Sequence, residues 1–391
     1  MRSNWLSGTV LVAVVSFLGL SNLPRTVRGE TPAEVESLRQ EIVAKGLAFL
    51  AKSGQAADGT FTKQVGSGVT SLALAAALKN GRGVDDPMVA KGLKALEGFV
   101  HEDGGIYAND RLQNYETCVA MVCFKAANQD GRYTELLKRA TEFVTGRQYR
   151  EGEDRTSDEA WVGGVGYGAQ GRPDLSNTAY LIEALATVDA SKNEQAIQAA
   201  LAFVSKCQNL ESPHNTTPYA ALVKDGGFYY ELPTTKVDPS TSPERYTENG
   251  GLRSYGSMTY AGLKSMIFAG LTAEDQRVKA AVQWIKDHYG VDQNPGQGSA
   301  GLFYYFHTFA AALAAAELND VVDADGKAHD WRADLIHELA KRQNPDGSWT
   351  NENQRWFEND ANLSTSFALL ALSHCAPPVP AKDAAPRPSS E

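Results

Sequence analysis

Apolar residues recur along much of this chain at i, i+3, i+4 and i+7, the spacing of a helix that buries one stripe. The segments beginning at Gly46 (GLAFLAKSGQ), Ala200 (ALAFVSKCQN), Ala281 (AVQWIKDHYG) and Leu335 (LIHELAKRQN) follow it. They alternate with segments rich in Ala and Leu and apolar on nearly every side. Examples are SLALAAAL from Ser71, TCVAMVCFKAA from Thr117, TAYLIEALATV from Thr178 and TFAAALAAAEL from Thr308. A helix with one apolar stripe lies at a surface, whereas one that is apolar all round touches protein on most sides. The pattern predicts an outer set of helices facing solvent and an inner set enclosed by it.

A glycine-bearing turn with a large side chain precedes each inner helix. Its copies are Asp58-Gly59-Thr60-Phe61, Asp103-Gly104-Gly105-Ile106-Tyr107, Gly163-Gly164-Val165-Gly166-Tyr167, Asp225-Gly226-Gly227-Phe228-Tyr229, Ala300-Gly301-Leu302-Phe303-Tyr304 and Asp346-Gly347-Ser348-Trp349. A threonine then opens every inner helix: Thr70, Thr117, Thr178, Thr259, Thr308 and Thr365. Thr is a favoured residue where helices begin, so the column reads as capping and serves to align the repeats. The expected fold class is all-α, an α/α toroid of about six helix-hairpin repeats in two concentric rings. The array is expected to close, because an open one leaves an unpaired face at each end. All inner-helix N-termini then converge on the mouth of a central cavity, where their positive dipole ends suit anionic or electron-rich groups. The interval from Thr178 to Thr259 is the longest, and its extra loop is expected on the binding face.

Composition refines the two ends and the surface. Arg2 followed by the apolar run Gly8 to Leu20 reads as a signal peptide, residues 1–29, with small residues at Val27 and Gly29 before the expected cleavage point. The run is short for a bilayer span, so export to the periplasm or medium is preferred over a retained anchor, and contact with a membrane surface stays open. Residues 30–375 form the toroid, and residues 376–391, rich in Pro, Ala and Ser, read as a disordered tail. A formal net charge of −10 argues against nucleic acid as a partner. Cys118 and Cys123 lie about 500° apart around a helix, so with Cys207 and Cys375 they read as buried core thiols. Asp323-Ala324-Asp325-Gly326 lacks the later Glu of a calcium loop and reads as a turn.

Two short segments carry a family resemblance. Gln343-Asn344-Pro345-Asp346-Gly347-Ser348-Trp349 resembles the QW repeat of squalene and oxidosqualene cyclases. Phe303-Tyr304-Tyr305-Phe306-His307-Thr308-Phe309 resembles the segment of protein prenyltransferase β-subunits that ends in a zinc-binding His and Thr. The chain thus resembles the terpenoid cyclase and protein prenyltransferase superfamily over roughly Gln40 to His374, which implies a toroid around a cavity for isoprenoids. It departs from both chemistries of that superfamily. Where protonating cyclases carry Asp-x-Asp-Asp-Thr-Ala, this chain reads Asp174-Leu175-Ser176-Asn177-Thr178-Ala179. Ser176 stands at the proton-donor position, and a hydroxyl is too weak an acid for a carbon–carbon double bond. At the zinc positions stand Tyr255 and Ser257 with His307, one ligand where a catalytic site needs three, so no metal and no cofactor are expected.

Candidate site residues follow from the threonine register. Glu116, Asn177 and His307 each precede a column Thr and are the candidate catalytic ring, with Glu and His as an acid–base pair should they meet. Val69, Met258 and Ser364 occupy the equivalent positions. Asp174, Tyr115, Ser176, Arg253, Tyr255, Ser257 and Tyr305 are the candidate ligand-binding residues, Arg253 with Tyr255 as a clamp for a diphosphate or carboxylate. The expected function is binding, or binding and transforming, a hydrophobic isoprenoid-like ligand. Two other readings remain. Asp154, Asp158 and Glu159 before Trp161 suit a carbohydrate-active α/α barrel that uses paired acids. Loss of both family chemistries suits a non-catalytic binding or scaffold toroid.

Overall fold

The computed structural model describes residues 30–152, 159–169, 171–233 and 239–377. The segment read as a signal peptide, most of the stretch read as a C-terminal tail, and Asp154 and Asp158 lie outside the described residues. The helices alternate as the apolar pattern predicts. The outer ones are α1 (Pro32–Phe49), α3 (Pro87–Glu97), α5 (Thr134–Gly146), α7 (Glu194–Lys206), α9 (Gln276–Asp287) and α11 (Trp331–Arg342). The inner ones are α2 (Gly68–Lys79), α4 (Gln113–Ala127), α6 (Leu175–Asp189), α8 (Gly256–Phe268), α10 (Leu302–Ala315) and α12 (Ala361–His374). The described residues also hold a short antiparallel pair, β1 (Val321–Val322) with β2 (Ala328–His329), a single helical turn at Ala220–Val223, and several π or 3-10 turns.

Closure is visible in the packing. Each inner helix touches the next, α2 to α4 and onward to α12, and α12 returns to α2. The outer helices α3, α5, α7 and α9 each back the inner helix that precedes them, and α1 backs α12. Trp331 of α11 meets Phe309 of α10 edge-on, with ring centroids 5.9 Å apart. Small side chains permit this density, as in the run Ala73 to Ala77 of α2, buried throughout. Polar bonds lock the seam where the ends of the chain meet. Asn80 Nδ2 donates to Leu369 O at 2.9 Å, and Asn362 Nδ2 donates to Thr62 Oγ1 at 2.9 Å. Among the described residues no helix is long and apolar enough to cross a membrane.

The turns explain why glycine recurs. Gly59, Gly104, Gly163, Gly226 and Gly347 all adopt positive φ, between 75° and 92°. At Gly163 a Cβ would lie 1.9 Å from Ala199 O, in the outer helix of the following repeat. Only glycine combines that left-handed backbone with that approach. In four of these turns a glutamine fastens the turn to the outer helix that its glycine approaches. Gln208 Nε2 donates to Gly226 O and to Arg277 O, each at 2.9 Å. Gln148 does likewise to Gly163 O and Ala196 O, Gln55 to Gly59 O and Met88 O, and Gln343 to Gly347 O and Ile42 O.

Three sequence expectations need correction. The column threonines do not cap; they lie inside the first turns, and the N-caps are Ser67, Leu112, Asp174, Tyr255, Gly301 and Asp360. Five of the threonines instead clamp the preceding turn through Oγ1, which accepts from the backbone N–H of Phe61, Ile106, Val165, Phe228 or Trp349 at 2.9–3.1 Å. Thr308 is the exception, bonded only within its own helix. The reason is the second correction: Leu302 to Tyr304 belong to α10, so the expected fifth turn is already helix. Thirdly, the inner-helix N-termini are not open to anions, because protein groups occupy them. Glu116 accepts from Ser67 N at α2, Asp174 from Asn177 N at α6, Glu358 from Tyr304 N at α10 and Asp360 from Leu363 N at α12.

Candidate functional site

The inner ring encloses a cavity of about 360 Å³ at the end where its helices begin. The threonine register sets which side chains reach it. Two positions before the column Thr stand Gly68, Tyr115, Ser176, Ser257 and Leu363, and two positions after it stand Tyr180 and Phe367; all line the cavity. Tyr255 and Tyr304, four residues before their Thr, add to the wall, as do Val69 and Met258. The positions two before and two after the Thr share one helix face, since residues four apart lie above one another. The rim comes from loops: Val65, Leu112, Tyr167, Tyr230, Trp356, Phe357 and Glu358.

Aromatic rings dominate and contact one another. Tyr115 meets Tyr180 edge-on at 5.2 Å, Tyr304 lies 6.2 Å from Tyr180, and Phe367 meets Tyr304 at 5.7 Å. Burial pushes the phenols of Tyr115, Tyr255 and Tyr304 well up, so the wall stays protonated and neutral at physiological pH. At the mouth Trp356 and Phe357 are 45% and 63% exposed, and both have left-handed backbone, φ 58° and 63°. Two adjacent bulky residues in that region are costly. Glu358, the next residue, anchors them: it accepts from Tyr304 N at 2.8 Å and from Asn351 Nδ2 at 2.7 Å. Burial raises its carboxyl.

Asp174 stands one layer behind Ser176. It accepts from Asn177 N, Asn177 Nδ2 and the Ser176 hydroxyl at 2.7–2.9 Å, and a hydrogen-bond network extends from it to Tyr230 and Tyr167. Burial nevertheless pushes its carboxyl up to about 6. It is a helix cap that touches the cavity through its neighbours.

Of the sequence candidates, Tyr115, Ser176, Tyr255 and Ser257 line the cavity and Asp174 supports it. The catalytic ring of Glu116, Asn177 and His307 is not brought together. Glu116 accepts from Ser67 N, the Ser67 hydroxyl and Ala108 N, and Asn177 is turned to Asp174. His307 sits deeper, because α10 runs six residues before its Thr whereas α6 runs three. There its ring stacks on Phe367 at 5.7 Å, and burial, with the Lys264 ammonium nearby, holds it neutral. Lys264 Nζ donates to Glu183 Oε2 at 2.6 Å in the same interior. Burial works to raise the Glu183 carboxyl, but the Lys264 ammonium and its hydrogen bond, together with Lys79 and other nearby groups, hold it low. Arg253 is exposed and donates to Pro243 O and Tyr246 O, so it forms no clamp with Tyr255. Tyr305 points away, its hydroxyl donating to Gly290 O at 2.6 Å; Tyr304 takes the wall position. Glu159 and Trp161 lie off the cavity, Trp161 edge-on to Tyr149. Trp356, Phe357 and Glu358 carry no sequence signal that marks them for the mouth; Tyr230 was within reach, in the long Thr178–Thr259 loop.

No family model matches this chain, and no curated protein matches it in sequence. Its likeness is to solved structures. Type II terpene cyclase MstE from Scytonema is similar over 86% of this chain and 97% of its own, at 13% identity and TM-score 0.50. A family 76 glycoside hydrolase from a bovine Bacteroides thetaiotaomicron strain is similar over 86% of this chain and 78% of its own, at 13% identity and TM-score 0.56. These likenesses define the class: an α/α toroid of terpenoid-cyclase-like fold. Both a terpene cyclase and a glycosidase are built on it, so the chemistry has to be argued from this chain's own cavity.

Proposed function

We propose that the chain is an exported toroid that binds a hydrophobic, isoprenoid-like small molecule in its central cavity. The observation that supports this reading is the wall itself: Val65, Val69, Leu112, Met258, Leu363 and Phe367 among phenol rings, with Glu358 the one carboxylate among the described lining residues. A volume of about 360 Å³ falls in the range of small-ligand sites. Burial of apolar ligand surface would supply the affinity, at about 25 cal/mol per Å². Protonation of a double bond is not part of the proposal, because Ser176 faces the cavity where the acid would stand and Asp174 is engaged as a cap. A paired-acid sugar site receives less support, since Glu358 caps α10 and Asp174 is shielded by Ser176 and Asn177.

The test is direct titration of the purified protein with farnesol and with a neutral oligosaccharide, read through Trp fluorescence, alongside lipid extraction and mass spectrometry. Farnesol is expected to change the emission of Trp356 saturably, and Trp356→Phe to remove most of that change. Saturable binding of the sugar with none of farnesol would overturn the reading.

A further inference from the structure

The cavity carries an electrostatic character that the dipoles of its helices alone would not give. Six inner helices begin around it, and each N-terminus bears about half a positive charge. Four of them are capped by carboxyl groups of the protein, those of Glu116, Asp174, Glu358 and Asp360. The remaining two are satisfied by neutral groups. Tyr167 O accepts from Asn114 N at α4, and Asn294 Oδ1 accepts from Ser257 N at α8. No Lys, Arg or His lines the cavity among the described residues. Helix ends that would attract an anion are thus already occupied, and a phosphate or carboxylate in the cavity would meet Glu358 and find no cationic side chain among the described lining residues.

The wall adds an independent signal of the same sign. Ring faces carry the negative part of an aromatic quadrupole and attract cations. Tyr115, Tyr167, Tyr180, Tyr255, Tyr304 and Phe367 surround one small volume. Tyr180 is 7% exposed, and its hydroxyl has no hydrogen-bond partner. The rim already shows this affinity, for the Arg355 guanidinium sits 4.6 Å over the Trp356 ring.

From the aromatic wall and the carboxyl-capped helix ends we infer that the ligand is a hydrophobic cation, an amine or quaternary ammonium on an apolar chain, and that anionic amphiphiles are excluded. This rests on the reading of the cavity as a hydrophobic ligand site and names the head group that site accepts. Trp356 and Phe357 would cover the apolar chain at the mouth, and the tyrosines would face the ammonium.

Three probes with one chain length separate the inference from the reading beneath it: decyltrimethylammonium, 1-decanol and decyl phosphate. Each is titrated into the full chain by calorimetry below its micelle concentration. The ammonium is expected to bind about tenfold more tightly than the alcohol, the size of a partly desolvated cation–π contribution. The phosphate is expected to bind more weakly than both. In Tyr115→Leu and Tyr304→Leu the ratio of ammonium to alcohol affinity should collapse towards one, whereas Tyr304→Phe, which keeps the ring, should preserve it. Equal binding of ammonium and alcohol, or a preference for phosphate, overturns the inference and leaves the hydrophobic cavity standing. Binding of none of the three removes both.

Discussion

Asp174 shows how one residue can be legible in identity and misleading in role. The sequence places it in a cyclase-like segment, and the structure makes it the buried cap of α6. Burial raises its carboxyl from the ordinary 3.8 to about 6, so the folded protein holds a proton that the unfolded chain has already released between those values. Stability therefore falls as pH rises through that window, with a full cost of roughly 3 kcal/mol above it. Asp174→Asn stays neutral throughout, and its Oδ1 can still accept from Asn177 N. Urea midpoints of both proteins at pH 4.5 and 7.0 should show the variant gaining on the parent at the higher pH. An unchanged gap would mean that Asp174 is not proton-linked to folding. Comparing the two proteins cancels the other carboxyls, including Glu358, which is also raised. Glu358 itself was not legible, because it caps α10 from a loop 54 positions beyond Tyr304 and no local pattern encodes that reach. Tyr305 in place of Tyr304 was a one-residue error, about 100° of helical turn, and it exchanges the cavity wall for the packing against Tyr260.

At the level of elements, the alternation of amphipathic and all-apolar helices was fully legible, and the reason is burial: each set keeps its own apolar pattern. The turns were half legible. Their glycines stood out, but the glutamine that fastens them did so only at Gln343, although Gln55 stands at the same three-residue spacing before Asp58. Phe61 in place of Trp hid the match. The threonine column was seen but given the wrong bond, since the clamping Thr follows the N-cap by only three to five residues, close to where a helix begins. The distinction has a measurable consequence. Thr117→Val leaves the buried Ile106 N–H without an acceptor and should cost about 1–3 kcal/mol. Thr308→Val loses only bonds to carbonyls of its own helix, so it should cost less than about 1 kcal/mol. Chemical denaturation of both variants checks this, and equal costs would contradict the clamp.

The whole molecule gains from closure what no single repeat has. In an open repeat array each unit contacts only its neighbours, and the terminal units fray. Here α12 packs on α2, α1 packs on α11 and α12, and Asn362, Gln343 and Asn80 bond across the seam. The first and last inner helices therefore have as many partners as the middle ones. Residues from both also build the cavity, Gly68 and Val69 on one side of the seam, Leu363 and Phe367 on the other. Native-state hydrogen exchange should then show the amides of α2 and α12 opening with the same free energy as those of α6, in one global unfolding step. Opening the seam should abolish that equality. Asn80→Ala with Asn362→Ala removes three of its bonds and should lower protection in α2 and α12 before α6. Protection graded from the centre to the ends in the unaltered chain would mean that the toroid behaves as an open solenoid. A cavity shared across the seam would then be only transiently complete, so the exchange profile bears on ligand binding as directly as on the fold.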